Sequence, residues 1–185
     1  IVHKDPERGI VQDVVRRFTP LPGERLNPKH VIEDLVNDLR EYGIQIVYSD
    51  QYQLESLQQL ALQYEISIIG RDFTGRSKAQ IFGSLQKLVD QNRLHLLDPL
   101  TSEPAAVQFY ELQILERKTG AGGSMQISAP AGKHDDMACA LALAVSQAMY
   151  HEPERVVLTK PVQSLEDKVL DQIRRKRRVN YGYAE

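Results

Sequence analysis

Apolar positions along this chain fall into short runs whose period changes, and the changes mark out its elements. Residues 1–3 and 9–19 are rich in β-branched side chains, and Lys4-Asp-Pro-Glu-Arg-Gly9 between them carries the Pro and Gly of a turn, so the chain is expected to open with a hairpin. Pro20-Leu-Pro-Gly23 ends the second strand. Asn27 then stands at a helix cap, Pro28 at the first helical position, and Val31, Ile32, Leu35, Val36 and Leu39 recur at helical spacing until Gly43. Continuous apolar runs at 44–48 and 66–69 read as strands covered on both faces, with a helix over 54–64 between them.

In the second half, Ser77 begins a helix through Ile81, Leu85, Leu88 and Val89, residues 94–97 form a strand, and residues 104–117 form a further helix. Gly120-Ala-Gly-Gly123 is a loop, and residues 125–129 are a strand. Pro130-Ala-Gly-Lys133 is a turn delivering His134 to a long alanine-rich helix that ends near Tyr150. A hairpin followed by alternating helices and strands predicts an α/β fold: a mixed β-sheet flanked by helices on both faces. After this domain, residues 1–152, the pattern changes. Residues 153–185 hold one amphipathic stretch, 165–173, and the run Arg174-Arg-Lys-Arg-Arg178, and are expected to form a basic C-terminal tail or appendage.

Composition narrows the class. With 185 residues, 42% hydrophobic and 26% charged, the chain suits one domain plus a tail, with a core that stands without staples. A net charge of −2 gives no global attraction for nucleic acid, so any such contact must come from local basic patches. The single cysteine, Cys139, excludes an intrachain disulfide and reads as a small core residue in a reducing compartment. No run approaches the ~18 apolar residues of a membrane span, and no segment has the order of a signal peptide, so a soluble intracellular protein is expected.

The candidate chemistry lies in carboxylates. Asp50 directly follows an apolar strand, and Asp135 and Asp136 enter the alanine-rich helix. Mg²⁺ and Mn²⁺ take hard oxygen ligands, and two such ions ~3.5–4 Å apart clamp the attacking and leaving oxygens of a phosphodiester. Each residue also has a plainer reading. Asp50 suits a loop-starting cap, and carboxylates at helix N-termini gain about 0.3–1 kcal/mol each without any ion. The preceding His134 and the small, apolar helix behind favour metal, because a buried helix start makes unpartnered carboxylates costly. Lys78 starts a helix after a Gly turn and is placed to reach a phosphate, with Arg71, Arg76 and Lys133 as neighbouring positive charge; the plainer reading is solvated surface. His3, His30, His95 and His151 lack partners at ligand spacing and read as structural. Glu111 reads equally as buried or solvated and stays unassigned.

Four segments occur in a telling order: Val47-Tyr-Ser-Asp50, Phe73-Thr-Gly-Arg-Ser-Lys78, Tyr110-Glu-Leu112, and Ala129-Pro-Ala-Gly-Lys-His-Asp-Asp136 running into the alanine-rich helix. In that order they resemble the C-terminal nuclease domain of the large terminase subunit, the DNA-packaging motor of tailed bacteriophages, across roughly residues 1 to 150. The resemblance implies an RNase H-like fold and cleavage of concatemeric double-stranded DNA with two divalent ions, Mg²⁺ or Mn²⁺. It makes Asp50 the second metal carboxylate, Asp135 the third and Asp136 its neighbour; His134 and Lys78 read as accessories from their own positions beside these residues. It also implies partners, namely the terminase ATPase domain, the small terminase subunit and the portal protein, and work in the cytoplasm of a bacterial host. The family's first carboxylate sits on a strand upstream of the one that here begins at Ile1, and neither Asp5 nor Asp13 substitutes for it. The chain is therefore expected to be an N-terminally truncated fragment with weak or no metal occupancy and poor cleavage, a loss that need not extend to its parent protein. Two other classes share the pattern: a non-catalytic DNA- or portal-binding module of the motor, and an RNase H-like resolvase or transposase.

Overall fold

The computed structural model describes residues 1–52, 54–119 and 125–150, all within the unit Ile1–Glu154. The loop expected at residues 120–123, the helix at 165–173 and the basic run at 174–178 lie outside the described residues.

The chain opens with β1 (Val2–Asp5) and β2 (Gly9–Gln12), paired antiparallel with Val2 opposite Gln12. Their turn closes through Asp5, whose Oδ1 accepts from the backbone N–H groups of Glu7 and Arg8. Gly9 is required where it stands: its φ is +105°, and a Cβ there would run into the backbone carbonyl of Arg93. The second strand stops at Gln12, short of the expected Thr19: beyond it the backbone N–H groups of Asp13 and Val14 share the Ile1 carbonyl and Ile1 N donates to Val14 O, an irregular end to the pairing. Arg16 and Arg17 beyond it pair instead with Asp38 and Glu103.

Helix α1 (Pro28–Glu41) starts as predicted, with the Asn27 side chain accepting from Lys29 N. A single device then ends three helices and launches three strands. At Gly43, Glu65 and Asn92 the chain adopts positive φ. The next residue in each case donates back into the helix: Ile44 to Leu39, Ile66 to Ala61, Arg93 to Leu88. So α1 feeds β3 (Ile46–Ser49), α2 (Leu54–Leu62) feeds β4 (Ser67–Gly70), and α3 (Gly75–Asp90) feeds β5 (Leu94–His95). Strands β3 and β4 pair in parallel across α2, and β5 lies parallel to β2.

Successive strand residues face opposite layers. Ile1 and Val47 pack with Ile32, Val36, Leu39, Ala61 and Ile66 on the α1–α2 side, whereas Val2 and Tyr48 pack with residues of α3 and of α5 (Asp136–Tyr150) on the other. Helices thus cover both faces of a mixed α/β architecture. The sheet itself is in three pieces: β1-β2-β5, β3-β4, and a pair β6 (Glu116–Thr119) and β7 (Met125–Ser128). The β6 strand corrects the sequence reading, which carried the preceding helix to Arg117. That helix, α4 (Glu103–Ile114), ends at the extended Leu115, and the antiparallel ladder with β7 claims the charged residues that follow.

Among the described residues no strand joins β1 to β3. Each is an edge strand there, and a slot of about 730 Å³ runs between them over Ala140, Ala144 and Ala148 of α5. No described helix is long and apolar enough to cross a membrane.

Candidate functional site

Asp50 leaves the end of β3, while Asp135 and Asp136 stand at the start of α5, and all three line one cavity of about 450 Å³. Tyr48, Phe73, Cys139, Ala140 and Leu143 supply its apolar wall, and Lys78 reaches in from the first turn of α3. The elements therefore bring residues 50, 78, 135 and 136 to one cavity.

The three carboxylates differ in circumstance. Asp135 is sheltered, with 21% of its side chain exposed, and its Oδ2 accepts from Lys78 Nζ at 2.7 Å and from Ala129 N at 3.3 Å. Asp135 has a partner of its own at the buried helix start, since Lys78 neutralises it, and Asp136 is 86% exposed. Asp50 is also exposed, and its Oδ1 accepts from Tyr52 N, the local turn that the plainer reading of this residue anticipated. His134 Nδ1 lies 3.8 Å from Asp136 Oδ2, both at the surface.

Electrostatics favour the charged form of Lys78. Burial works against the ammonium, but the hydrogen bond to Asp135 and the proximity of Cys139 lift its pKa overall above the usual lysine value. Cys139 is half-buried beside this pair rather than in the core proper, and burial, opposed by Lys78, pushes its thiol up to about 11.

The remaining basic residues separate. Arg76 and Lys133 are exposed, the latter 5.7 Å from the Tyr110 ring centroid. Arg71 is turned inward, stacked 5.0 Å from the Tyr48 ring and donating from Nη2 to Gln147, with its Nε buried and unpaired; it ties the residue after β4 to β3 and α5. His3 bonds Asp13 and His95 bonds the Arg8 carbonyl, consistent with structural roles.

Sequence reasoning missed Glu111. It is 5% exposed, and its Oε2 accepts from Met137 N at 2.7 Å and Ala138 N at 3.0 Å, so a carboxylate from α4 caps the start of α5. Gln108, one turn earlier, bonds Gln12 and the Met137 carbonyl. The signal was the polar stripe Gln108, Glu111 on an otherwise apolar helix.

As hard oxygen donors sharing one cavity, Asp50, Asp135 and Asp136 fit a divalent cation in kind. Their present arrangement is open: among the described residues no three His, Cys, Asp or Glu side chains gather closely enough to hold an ion. One oxygen of Asp135 is committed to Lys78, and Asp50 folds back on its own backbone.

The fold is RNase H-like, of the kind seen in phage large-terminase nucleases. The large-terminase nuclease of thermophilic phage G20c matches with a TM-score of 0.55 at 19% identity, over 67% of this chain and 64% of that one. Its magnesium-bound structure matches at 0.54 and 20%, over 66% and 62%. The large terminase of bacteriophage HK97 matches at 0.55 and 16%, over 71% of this chain and 26% of that one. This chain thus spans less than two thirds of the G20c nuclease. No family model matches the sequence, and no curated protein matches it significantly.

Proposed function

We propose that the chain is the nuclease domain of a viral DNA-packaging terminase large subunit, a divalent-metal-dependent endonuclease that cuts concatemeric double-stranded DNA. The observation that carries this reading is the convergence of Asp50, Asp135 and Asp136 on one cavity of a terminase-nuclease fold. These three would hold Mg²⁺ or Mn²⁺, and the bound ions would supply the positive charge that stabilises the oxygens gained and lost at phosphorus.

The chain's own groups divide the work. Asp135, tied to the Ala129 amide, is the fixed ligand; Asp50 and Asp136, at the exposed margin, are free to close on it. His134 orients Asp136. Arg76 and Lys133 are the exposed cations available to DNA phosphates, which a chain of net charge −2 must meet locally. In the whole protein the partners would be the ATPase domain, the small terminase subunit and the portal, in the cytoplasm of a bacterial host. The slot between β1 and β3 is read as the seat of an upstream strand bearing the first carboxylate. Its position between two strands that are edges among the described residues, and its floor at Ala140, which also borders the carboxylate cavity, support that placement.

The test is plasmid cleavage with Mn²⁺ by the whole protein. Asp50→Ala and Asp135→Ala are expected to lose cleavage while keeping the circular dichroism spectrum, and undiminished cutting by both overturns the assignment. A second reading, a non-catalytic DNA- or portal-binding module, draws support from the open arrangement of the carboxylates and the hold of Lys78 on Asp135. Under it, Mn²⁺ calorimetry yields no heat that depends on Asp135.

A further inference from the structure

Among the described residues lining the carboxylate cavity, Lys78 is the one cation. Its Nζ sits 2.7 Å from Asp135 Oδ2, and the two side chains are only 18% and 21% exposed. The oxygen it holds also accepts from Ala129 N, so this face of Asp135 is fully engaged.

The pair is poorly placed to be a strut. Helices α3 and α5 already meet through Ile81, Phe82, Leu85, Ala138 and Ala142, and the ammonium lies at the mouth of that contact, among carboxylates. A lysine brings one point charge on a flexible four-carbon stem, which can withdraw without moving backbone. The Phe82 ring, 5.9 Å from Nζ, lies alongside. A divalent ion offers twice the charge to the same oxygen and draws in Asp50 and Asp136, which the ammonium does not reach within ion-pair distance.

We infer that Lys78 is a displaceable internal counter-ion, a positioning residue that holds Asp135 in its ligand geometry while the cavity is ion-free and yields it when a divalent cation enters. The inference rests on reading the cavity as a cation site. It has a consequence opposite to that of an ordinary accessory lysine: removing Lys78 strengthens cation binding.

The experiment uses the 185-residue chain. Mn²⁺ affinity is measured by calorimetry for the wild type, Lys78→Met, Lys78→Arg and Lys78→Met/Asp135→Asn. In parallel, the ¹⁵N signals of lysine ammonium groups are followed through a Mg²⁺ titration of the wild type. Lys78→Met is expected to bind Mn²⁺ roughly tenfold more tightly, the loss of a partly sheltered ion pair. Lys78→Arg, which keeps a charge on Asp135, stays near the wild type, and Asp135→Asn cancels the gain. The Lys78 signal moves from an ion-paired to a free position as Mg²⁺ saturates. Equal or weaker binding by Lys78→Met, with Asp135-dependent heat in both proteins, overturns the inference alone. So does a Lys78 signal unmoved at saturation. No Mn²⁺ heat in either protein overturns the cation site and the inference with it.

Discussion

Glu111 offers the sharpest test of how the site is held. Its Oε2 takes two backbone donors at 2.7 and 3.0 Å in a position 5% exposed, at the N-terminus of the helix that begins at Asp136, directly after Asp135. Replacing it by alanine leaves the Met137 and Ala138 N–H groups without an acceptor and opens a cavity. Each orphaned buried donor costs about 1–3 kcal/mol, and a carboxylate at a helix start adds about 0.3–1 kcal/mol. The sum is about 2–7 kcal/mol, a large share of the roughly 5–15 kcal/mol by which domains are stable. Glu111→Gln keeps an acceptor oxygen and the volume but loses the charge, so its cost is about 1–2 kcal/mol, or roughly 2–8 °C in Tm for a domain of this size. Urea denaturation followed by circular dichroism measures both; if alanine does not fold, glutamine still reports. Because α5 positions the cavity carboxylates, Glu111→Gln is also expected to weaken Mn²⁺ binding. An alanine variant within about 0.5 kcal/mol of the wild type refutes the capping argument, since that is the scatter of ordinary surface substitutions.

Two further outcomes follow from titrating groups elsewhere. The Asp38 carboxyl is held below the usual range because Arg16 donates to both its oxygens, from Nε at 2.7 Å and Nη2 at 2.8 Å. A depressed carboxyl stabilises above the unfolded-state value of about 3.9 and loses that contribution as pH falls through the lower folded-state value. Urea midpoints of wild type and Asp38→Asn should therefore differ near neutrality and converge in acid; a constant difference refutes this. Cys139, its thiol pushed up to about 11, is expected to react with iodoacetamide at about pH 8 at least a hundredfold more slowly than a free thiol until urea exposes it. Alkylation of the folded protein at the free-thiol rate would contradict the burial described here.

How much of this was legible in the sequence depended on whether a local rule acted alone. Asn27, Pro28 and Gly43 bracket α1 where caps and a left-handed residue demanded it, and the long helix begins at Asp136 as its turn predicted. Glu65 and Asn92 make the same helix ending as Gly43 without glycine, so the device recurs where composition does not signal it. Asp13 leaves the hairpin ladder and Glu116 enters a new one for reasons that lie in distant partners, Ile1 and Ser128. The site followed the same division. Strand end and helix start could be read locally, but that Lys78 pairs with Asp135 across 57 residues, and Glu111 with Met137 across 26, are facts of packing.

The alanine-rich character of α5 has two physical causes, and they meet at the site. Ala138 and Ala142 are fully buried, where small side chains let α3 approach closely and bring Lys78 to Asp135. Ala140, Ala144 and Ala148 lie on another face, under the slot between the two edge strands. That second row explains why the carboxylates stand apart. A helix packed on a continuous sheet would have its strand-facing alanines covered, and Asp50 would have a strand beside it at the ~4.8 Å spacing of neighbours. Among the described strands β3 pairs with β4, and the Asp50 side chain accepts from its own turn at Tyr52 N. On the proposed reading, a strand entering the slot would act on the cavity twice: by bringing its own side chain past Ala140, and by fixing the edge from which Asp50 departs. Cation affinity of this chain is then limited by sheet completion before it is limited by the number of carboxylates.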